Sequence, residues 1–375
     1  MTRRILVSPN AFKGSLSALE ATETISSSLN KLGLVAKKAP IADGGDGTIE
    51  VIKYYFKSAK YITGTVHDPL MRKIKSKWLL LNKNTAVIEL SKVSGISLLN
   101  KNELNPLQTT TFGTGELILS ALNKGCKEII ITLGGSATVD AGMGILSALG
   151  VRFLDEKNKT LRSCGKSLRL IRKIDLANLD KKILKCKIIV LCDVEIPLTG
   201  KIGTVMCFSG QKGANKNEKL YLERGMKNLV KIIKKMRKKD FHMIPMVGSA
   251  GGVAFGLKTF LNANLCRGFD YVSRLSSLEK KIKKSGLIIT GEGYLDKQTL
   301  LGKGIYKLAM LAKAHKKKVI VFCGNYDKSI DWKRYNICHI VKIKPVNYSL
   351  SQSLRKARIL LQNAVKANIS LFSEC

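Results

Sequence analysis

Short, continuous apolar runs recur along the chain, and glycine-rich or acidic loops follow several of them. Runs without polar alternation are typical of strands buried on both faces, as in a parallel sheet covered by helices. Apolar residues at helical spacing predict one helix capped by Ser15 or Ser17 and ending near Leu29, and another beginning at Thr48. The predicted buried strands are Ile5–Val7, Val35–Ala42, Ile129–Leu133, Ile188–Leu191, Leu287–Thr290 and Val319–Phe322. This order of elements predicts an α/β fold.

The pattern of apolar and polar residues changes between residues 62 and 90. Apolar stretches are shorter there, and turn-forming residues appear at Asp68-Pro69 and Asn82-Lys83-Asn84. Short strands separated by such turns predict hairpins. Because 375 residues exceed what one hydrophobic core usually supports, we expect two domains. The first is a parallel-sheet, three-layer α/β domain made of residues 1–62 together with 286–375, and the second is an inserted, mixed α/β domain of residues 63–285.

Composition narrows the class of protein. Apolar residues make up 45% of the chain, yet no segment approaches the ~18 uninterrupted apolar residues of a membrane span. The apolar stretch after the basic N-terminus ends at Ser8 and is too short for a secretory signal, so we expect a cytoplasmic protein with no membrane partner. The nine cysteines form no C-x-x-C pair, and the four histidines show no zinc-ligand spacing. Free, largely buried thiols are the interpretation we favour.

The net charge of +38 raises the question of nucleic-acid binding. The basic residues are mostly lysines spread along the whole chain, and aromatic residues that could stack on bases make up only 6%. The densest basic run, 231–239, flanks an apolar stripe that predicts an amphipathic helix with a solvated lysine face. That stripe consists of Leu222, Met226, Leu229, Ile233 and Met236. We therefore expect no specific nucleic-acid partner, although the charge should attract phosphorylated anions.

Four loops after apolar runs carry the reactive residue types. They are Asp43–Thr48, Gly134–Thr138, Cys192-Asp193 and Gly291–Asp296. Open α/β sheets bind ligands at the carboxyl ends of strands, where glycines let a phosphate approach the backbone and carboxylates hold a metal ion or accept a proton. The chain lacks the phosphate-binding motif G-x-x-x-x-G-K-[ST]. Gly165-Lys166-Ser167 matches its last three positions, but Thr160 stands where its first glycine would be. These loops predict a phosphoryl-transfer enzyme of a less common fold.

Eight motifs occur between the first strand and about residue 325. They are Phe12–Ala18, Ala42–Thr48, Thr109–Ile118, Gly134–Thr138, Cys192–Val194, Gln211–Ala214, Ala250–Gly252 and Gly291–Gly293, the last followed by Asp296, Gln298, Thr299, Gly302 and Lys303. In type and order they resemble the type I glycerate kinase family. The resemblance implies a two-domain α/β enzyme that transfers the γ-phosphoryl group of ATP to D-glycerate, with 2-phosphoglycerate as the usual product and the active site in the cleft between the domains. It also implies Mg²⁺ as a cofactor, small-molecule substrates as partners, and a monomer or homodimer.

The resemblance and the chemistry of phosphoryl transfer together assign roles to individual residues. The predicted catalytic residues are Lys13, Asp43, Asp193 and Asp296, and the predicted metal ligands are Asp46, Asp193, Glu292 and Asp296. The predicted substrate- or nucleotide-binding residues are Ser15, Gly44, Gly45, Gly134, Gly135, Ser136, Thr138, Lys212, Gly291 and Lys303. The sequence leaves open which carboxylate is the general base and which hydroxyl is phosphorylated.

The predicted roles have structural alternatives. Lys13 and Lys303 lie in glycine-containing loops that enter helices, where a solvated lysine is also common. Asp43 and Asp46 converge on one cation or on the glycerate hydroxyls, or else form turns and cap a helix. Asp193 follows a buried run, where a hydrogen-bonded core aspartate is the alternative to a metal ligand or base.

Three further segments carry candidate site residues. Glu292 and Asp296 are interpreted as an acidic pair within one loop between a strand and a helix. Gly134–Thr138 is interpreted either as a phosphate nest at a helix start, with Asp140 as a first-turn acid, or as a tight turn. The segment Gln211–Gly213 is interpreted as a substrate or nucleotide lid.

The chain departs from the family pattern at several positions. Asn10 stands where the family usually has Asp, and this removes a carboxylate from the first loop. Val139 and Ile196 each replace an Asn, and Tyr294 replaces a common Arg, which removes a fork-shaped anion clamp. Two alternatives therefore stay open, a kinase for another small hydroxy acid and a catalytically impaired anion-binding protein that retains the fold.

Overall fold

The computed structural model describes residues 4–237 and 240–374. Its strands are β1 (Ile5–Val7), β2 (Ala36–Lys38), β3 (Lys60–His67), β4 (Lys73–Asn82), β5 (Thr85–Glu89), β6 (Glu128–Thr132), β7 (Arg152–Leu154), β8 (Lys173–Asp175), β9 (Lys187–Cys192), β10 (Asn264–Arg267), β11 (Leu287–Leu295), β12 (Lys318–Tyr326) and β13 (Ile337–Lys342). Its α-helices are α1 (Ala18–Lys31), α2 (Thr48–Tyr55), α3 (Ser91–Ser94), α4 (Phe112–Asn123), α5 (Met143–Ala148), α6 (Lys181–Leu184), α7 (Thr204–Phe208), α8 (Lys216–Arg237), α9 (Ser249–Leu261), α10 (Gly268–Leu275), α11 (Leu278–Lys283), α12 (Gly304–Ala314), α13 (Leu350–Arg355), α14 (Ala357–Ala367) and α15 (Leu371–Glu374).

Contacts within the chain separate two compact units. Within the described residues, the first unit comprises the chain up to Asp43, Glu50–Tyr55 and everything from Gly268 onward, and the second comprises Gly44–Ile49 and Phe56–Arg267. The predicted domain boundaries lie after residues 62 and 285. They refer to domains that fold independently, which a division by contacts does not test, so they stay a prediction.

The first unit is built on a five-stranded sheet in the order β13-β12-β11-β1-β2. Every neighbouring pair in this sheet is parallel. Alternate residues of β1 enter different cores, since Ile5 and Val7 pack with Ile25 of α1 and Leu361 of α14, whereas Leu6 packs with Leu308 of α12. Helices therefore cover both faces, and the three-layer, parallel-sheet prediction is confirmed for this unit.

The second predicted strand is shorter than expected. The run Val35–Ala42 forms only the three-residue strand β2 at the edge of the sheet. Pro40 has no N–H with which to continue a ladder, and Val35 is exposed, as an edge position allows. At the helix before β2, Ser17 rather than Ser15 is the cap of α1, because its side chain accepts the Glu20 N–H at 3.2 Å.

The second unit contains a six-stranded sheet in the order β10-β9-β6-β5-β4-β3. The pairs from β10 to β5 are parallel, and β5, β4 and β3 pair in antiparallel fashion. The hairpins predicted between residues 62 and 90 are thereby confirmed, as is a mixed α/β fold. The sheet is buried against helices, with Ile88, Ile129 and Ile131 in one core with Leu117 of α4 and Leu146 of α5.

Helix α8 shows what the lysine-rich run 231–239 does as far as it is described. Leu222, Met226, Leu229 and Ile233 are buried as predicted, but Met236 is exposed, so the buried stripe ends one turn early. Residues 238 and 239 lie outside the described residues.

The structure also bears on the thiols and on membrane spans. Cys192 and Cys323 are buried, and all eight described cysteines are free thiols. Within residues 4–237 and 240–374, every helix falls short of the combination of length and apolar character that crossing a bilayer requires. The predicted cytoplasmic location stays a prediction.

Candidate active site

The first unit gathers several predicted site residues at the carboxyl ends of β1 and β11. The chain after β1 continues beside β11, because the Asn10 N–H donates to the Gly291 carbonyl at 2.9 Å. The Asn10 side-chain amide then donates to a carboxylate oxygen of Asp43 at 3.0 Å. Asn10 therefore contributes a neutral donor to Asp43 rather than a second negative charge.

Glu292 lies inside strand β11 and not in a loop, so the predicted loop position is wrong for this residue. The strand continues to Leu295 because Gly291–Leu295 stays in register with Phe322–Tyr326 of β12. Its carboxyl group is only 7% exposed and accepts a hydrogen bond from the Thr299 hydroxyl at 3.1 Å.

Burial is the main reason why the pKa of Glu292 is raised to about 8. The negative charges of Asp43 and Asp296 raise this pKa further, whereas Lys303 and the Thr299 hydroxyl lower it. The structure therefore brings Asp43, Glu292, Asp296 and Lys303 into one electrostatic group, which we call the acidic group. Burial among like charges is the arrangement that keeps a carboxyl protonated at neutral pH until a cation or a proton acceptor arrives.

Asp296 and Lys303 frame the turn after β11. Asp296 accepts the N–H groups of Gln298 at 2.8 Å and Thr299 at 3.1 Å, so its carboxylate also stabilises this turn. Lys303 is the N-cap position of α12, and its ammonium group donates to Gln298 at 3.3 Å. Its charge remains available to an anion at the start of this helix.

Lys13 and Ser15 lie in the segment between β1 and α1. Lys13 is exposed, and it makes no hydrogen bond or ion pair with any residue that the structure describes. The Ser15 hydroxyl donates to the Phe12 carbonyl at 3.0 Å, which closes the turn between Phe12 and Leu16. Tyr294, at the position of the family's arginine, is exposed.

In the second unit, the loops Gly44–Thr48 and Gly134–Ser136 pack backbone against backbone. The Gly134 N–H donates to the Gly44 carbonyl at 3.0 Å. A Cβ atom at Gly134 would lie 2.2 Å from the Gly45 Cα, and one at Gly135 would lie 2.3 Å from a carboxylate oxygen of Asp46. Only glycines allow this approach, so the structure brings the second and third predicted loops together and places Asp46, which is exposed, beside Gly135.

Glu89 organises the same loop and was missed by the sequence analysis. It ends β5, is fully buried, and accepts the N–H groups of Gly47 and Ile49, each at 3.0 Å. These donors belong to the first turn of α2 and the residue before it, which otherwise lack partners. An acid directly after the apolar run Ala86-Val87-Ile88 was the available signal, because a buried carboxylate needs partners.

Lys212 is buried in the second unit, only 2% exposed, although it belongs to a segment interpreted as a lid. Its ammonium group donates to the Ser136 hydroxyl at 2.7 Å and to the Thr138 carbonyl at 2.8 Å. Burial lowers the pKa of Lys212 to about 8, and the charges of Asp193 and Asp140 oppose that shift. The lid interpretation is therefore wrong for Lys212, which is anchored to the Gly134–Thr138 loop.

Asp140 explains why Gly134–Thr138 is not a nest at a helix start. Helix α5 begins only at Met143, and the N–H groups of Gly142 and Gly144 both donate to Asp140 at 3.1 Å. Asp140 is fully buried, burial raises its pKa, and it also accepts the backbone N–H and the hydroxyl of Thr111. The protein's own carboxylate thus occupies the helix terminus that was predicted for a phosphate.

The loop that carries Asp193 is held by hydrogen bonds from the start of α9. The Ser249 hydroxyl donates to the Val194 carbonyl at 3.2 Å, and the Gly248 N–H donates to the Ile196 carbonyl at 3.0 Å. Asp193 itself is half-buried, so it is not the buried core aspartate that was its alternative.

The Ala250–Gly252 motif packs against the backbone of Thr138. All three of its residues have positive φ, from 53° at Ala250 to 86° at Gly252. A Cβ atom at Gly251 would lie 2.0 Å from the Thr138 carbonyl oxygen, and the Ala141 N–H donates to the Gly251 carbonyl at 3.0 Å. Backbone held in this left-handed region is concentrated at functional sites. Thr138 is fully buried between these segments, and it reaches Lys212 through its carbonyl.

The predicted metal ligands do not form one cluster within a unit. Glu292 and Asp296 belong to the first unit, whereas Asp46 and Asp193 belong to the second. Across the part of the chain that the structure describes, no three His, Cys, Asp or Glu side chains are placed to hold a metal ion together. The four metal-ligand roles, like the catalytic and binding roles, stay predictions.

Comparisons with known proteins show which family the chain resembles. The sequence profile of the glycerate kinase family matches residues 5–373. The chain is 33% identical to the glycerate kinase of Halalkalibacterium halodurans, covering 98% of each protein. It is 37% identical to the glycerate 2-kinase of Escherichia coli, covering 86% of this chain and 85% of the relative.

A solved structure shares the fold. It is the crystal structure of a candidate glycerate kinase 2 from Salmonella typhimurium LT2, which superposes with a TM-score of 0.81 at 32% identity. The superposition covers 100% of this chain and 99% of the other. The motifs, the α/β fold and the near-complete coverage agree, and the chain therefore belongs to the glycerate kinase family, whose members are kinases.

Proposed function

We propose that this enzyme transfers the γ-phosphoryl group of ATP to D-glycerate and forms 2-phosphoglycerate. The acidic group of Asp43, Glu292, Asp296 and Lys303 is the observation that carries the proposal. It combines carboxylates that accept protons with a cation that binds anions, and phosphoryl transfer requires both. The choice of hydroxyl follows the relative from Escherichia coli, which is named a glycerate 2-kinase.

In the first unit, we assign acceptor chemistry to Asp43. The Asn10 amide donates to one of its carboxylate oxygens and so helps to hold the group that would accept the proton of the glycerate hydroxyl. Lys13 and Lys303 supply positive charge for the glycerate carboxylate or a phosphate, and Ser15 and Gly291 shape the loops that hold them. Asp193 of the second unit is the other candidate for the proton acceptor, because it is half-buried and interacts with a buried lysine.

In the second unit, we assign phosphate binding to Lys212 and the loop to which it is anchored. An ammonium group has three N–H donors, and Lys212 directs two of them to Ser136 and Thr138. The third is available to a phosphate oxygen. Gly44, Gly45, Gly134 and Gly135 let the two loops pack backbone against backbone, and we assign to them the shaping of this phosphate site.

The residues fit Mg²⁺, the ion that kinase chemistry implies. Carboxylate oxygens are the hard donors that Mg²⁺ prefers, and it is commonly held by one or two of them together with substrate phosphates. Glu292 and Asp296 would hold the ion in the first unit, and Asp46 and Asp193 are the predicted ligands in the second. A bound cation relieves the repulsion that contributes to the raised pKa of Glu292. Bound Mg²⁺ would neutralise negative charge on the phosphoryl group during its transfer.

The test is phosphoryl transfer from Mg-ATP to D-glycerate, with the product coupled separately to enolase and to phosphoglycerate kinase. We expect a signal through enolase alone, since enolase consumes 2-phosphoglycerate. A signal through phosphoglycerate kinase alone would contradict the choice of hydroxyl but retain a glycerate kinase. Transfer to another hydroxy acid in place of glycerate would overturn the substrate and implicate the departures at Asn10, Val139, Ile196 and Tyr294.

A further inference from the structure

A basic cavity in the second unit is lined by residues outside every loop to which kinase chemistry is assigned. Its volume is about 710 Å³. Small-molecule sites commonly measure roughly 300–1,000 Å³. Six cationic side chains line it, namely Arg169, Arg172, Lys173, Arg224, Lys231 and Lys235. The described residues that line this basic cavity include no carboxylate and no aromatic ring.

Helix α8 forms one wall of the basic cavity. Arg224, Asn228, Lys231 and Lys235 are separated by four, three and four residues, so they lie on one face of the helix. Eleven residues rise ~16 Å along a helix, so the three cations of this wall form a stripe about that long. Asn228 donates from its amide to the carbonyls of Leu168 at 2.9 Å and Ile171 at 3.0 Å, and this joins the helix to the opposite wall.

The opposite wall runs from the 3₁₀ turn Gly165–Arg169 to β8. The Arg172 guanidinium donates from Nη1 to the carbonyls of Arg169 at 3.2 Å and Ile171 at 3.1 Å, so one end of this guanidinium group is held by the backbone. The Arg169 guanidinium lies over the Tyr221 ring at 5.3 Å. Asp175 lies near Lys173, but its carboxylate pairs with Arg152 and does not line the cavity.

The six cations are not neutralised by neighbours. All six are exposed, and among residues 4–237 and 240–374 none of them forms an ion pair with a carboxylate. Like charges held on two joined walls repel each other, and an anion with several charges would relieve that repulsion. Three of the six are arginines in a chain whose basic residues are mostly lysines, and the planar guanidinium fork matches the geometry of phosphate oxygens.

We propose that the basic cavity is a second anion site, which binds an oligophosphate, a small molecule with two or more linked phosphate groups. The stripe on α8 matches a linear arrangement of charge, and the arginines of both walls match phosphate oxygens. Single-stranded nucleic acid fits less well, because its binding sites use aromatic rings on which bases stack. This site is independent of the proposed glycerate kinase reaction.

The test is calorimetric titration of the full chain with inorganic tripolyphosphate, in the presence of a saturating non-hydrolysable ATP analogue and D-glycerate. We expect one tripolyphosphate per chain. The double variant Arg224→Ala, Lys231→Ala should weaken binding at least about tenfold, because it removes two charge-assisted contacts. Alanine is the best helix former, so α8 is retained.

The matched control is Lys227→Ala, Lys234→Ala. These residues lie on the same helix with the same spacing and lose the same charge, but they pair with Glu223 and Asp240 and do not line the cavity. Binding should change less than about threefold in this control, as expected for a loss of net charge alone. Arg172→Ser, on the opposite wall, gives a second variant that leaves α8 untouched and should also weaken binding.

Three results would overturn the proposal. Equal weakening in the two double variants would show an effect of net charge only. Loss of binding when the ATP analogue is added would place tripolyphosphate at the phosphoryl-donor site. Tighter binding of an oligothymidylate than of tripolyphosphate, with the same dependence on Arg224 and Lys231, would identify a nucleic-acid surface instead.

Discussion

The ammonium group of Lys212 donates a hydrogen bond of 2.7 Å to the hydroxyl of Ser136, a residue 76 positions earlier in the chain. The lysine is almost fully buried, and its ammonium group also donates to the Thr138 carbonyl. A buried lysine is costly unless its charge is used, because desolvation favours the neutral amine. This pair is the strongest structural indication of anion binding in the second unit.

The first prediction concerns the pH dependence that Lys212 confers. Because burial lowers its pKa to about 8, the amine loses its charge as pH rises from 7 to 9, and phosphate binding should weaken. We expect kcat/KM for ATP to fall over this range with an apparent pKa near 8. Lys212→Arg keeps its charge throughout, so this limb should disappear from the profile measured for that variant.

Stability provides an independent check on Lys212. Between its folded pKa of about 8 and the ordinary value of 10.5, the unfolded chain binds more protons than the folded protein, so stability should rise with pH. The gain relative to Lys212→Met should be on the order of 2 kcal/mol, measured by urea unfolding at pH 7 and pH 10. Parallel pH curves for the two proteins would contradict a buried, shifted lysine.

The second prediction is that Glu292→Gln stabilises the unliganded protein at high pH. The pKa of Glu292 is raised from 4.5 to about 8, so the folded protein holds an extra proton in between and stability falls as pH rises through that window. At pH 9 the glutamine variant avoids a buried charge and should be more stable by roughly 2–5 kcal/mol; at pH 4 the difference should vanish. Urea unfolding at both pH values measures it.

Activity measurements test whether Glu292 binds Mg²⁺, separately from its effect on the free energy of unfolding. If the carboxylate holds Mg²⁺, Glu292→Gln should raise the Mg²⁺ concentration needed for half-maximal rate by at least about tenfold. The matched control is Glu128→Gln, a carboxylate that pairs with Lys187 on the surface of the second unit. An unchanged Mg²⁺ requirement in Glu292→Gln would remove this residue from the metal site.

The third prediction is that Glu89 positions the Gly44–Thr48 loop. Glu89→Gln retains the size but places an amide N–H₂ against N–H donors, so at least one buried donor loses its partner. We expect destabilisation of about 1–3 kcal/mol and a higher KM, with kcat less affected. Thermal unfolding and steady-state kinetics check this, with Glu128→Gln again as control. A drop in kcat with KM unchanged would argue against a positioning role.

The fourth prediction separates the two candidate proton acceptors. Asp43→Asn and Asp193→Asn preserve side-chain size but remove the basic carboxylate, and replacing the residue that accepts the hydroxyl proton should lower kcat at least about 100-fold. Thermal unfolding should barely change in Asp193→Asn, because Asp193 is half-buried and lies in a loop. Asp155→Asn, a turn aspartate that accepts the N–H groups of Lys157 and Lys159, is the control. Full activity in both variants would exclude both residues as the base.

The acidic group shows how far sequence reasoning reached. Asp43, Glu292, Asp296 and Lys303 were all predicted as site residues from their loops, and the structure does bring them together. The position of Glu292 was not predictable, because whether Gly291–Leu295 continues a strand depends on pairing with Phe322–Tyr326 of β12. Glu89 was missed for a similar reason, since its partners lie 42 and 40 residues earlier.

The sequence by itself determined the elements whose signals are local. Continuous apolar runs predicted the parallel strands, turn residues between 62 and 90 predicted the hairpins, and apolar spacing predicted helix α1 with Ser15 or Ser17 as its cap. It also determined the family, since eight ordered motifs need no coordinates. Only the tertiary structure decided which polar groups are buried. Desolvation and hydrogen bonding act between residues that are distant in the chain. They shift the pKa values of Lys212 and Glu292. They also place Asp140 at the start of α5, where a phosphate had been predicted to bind.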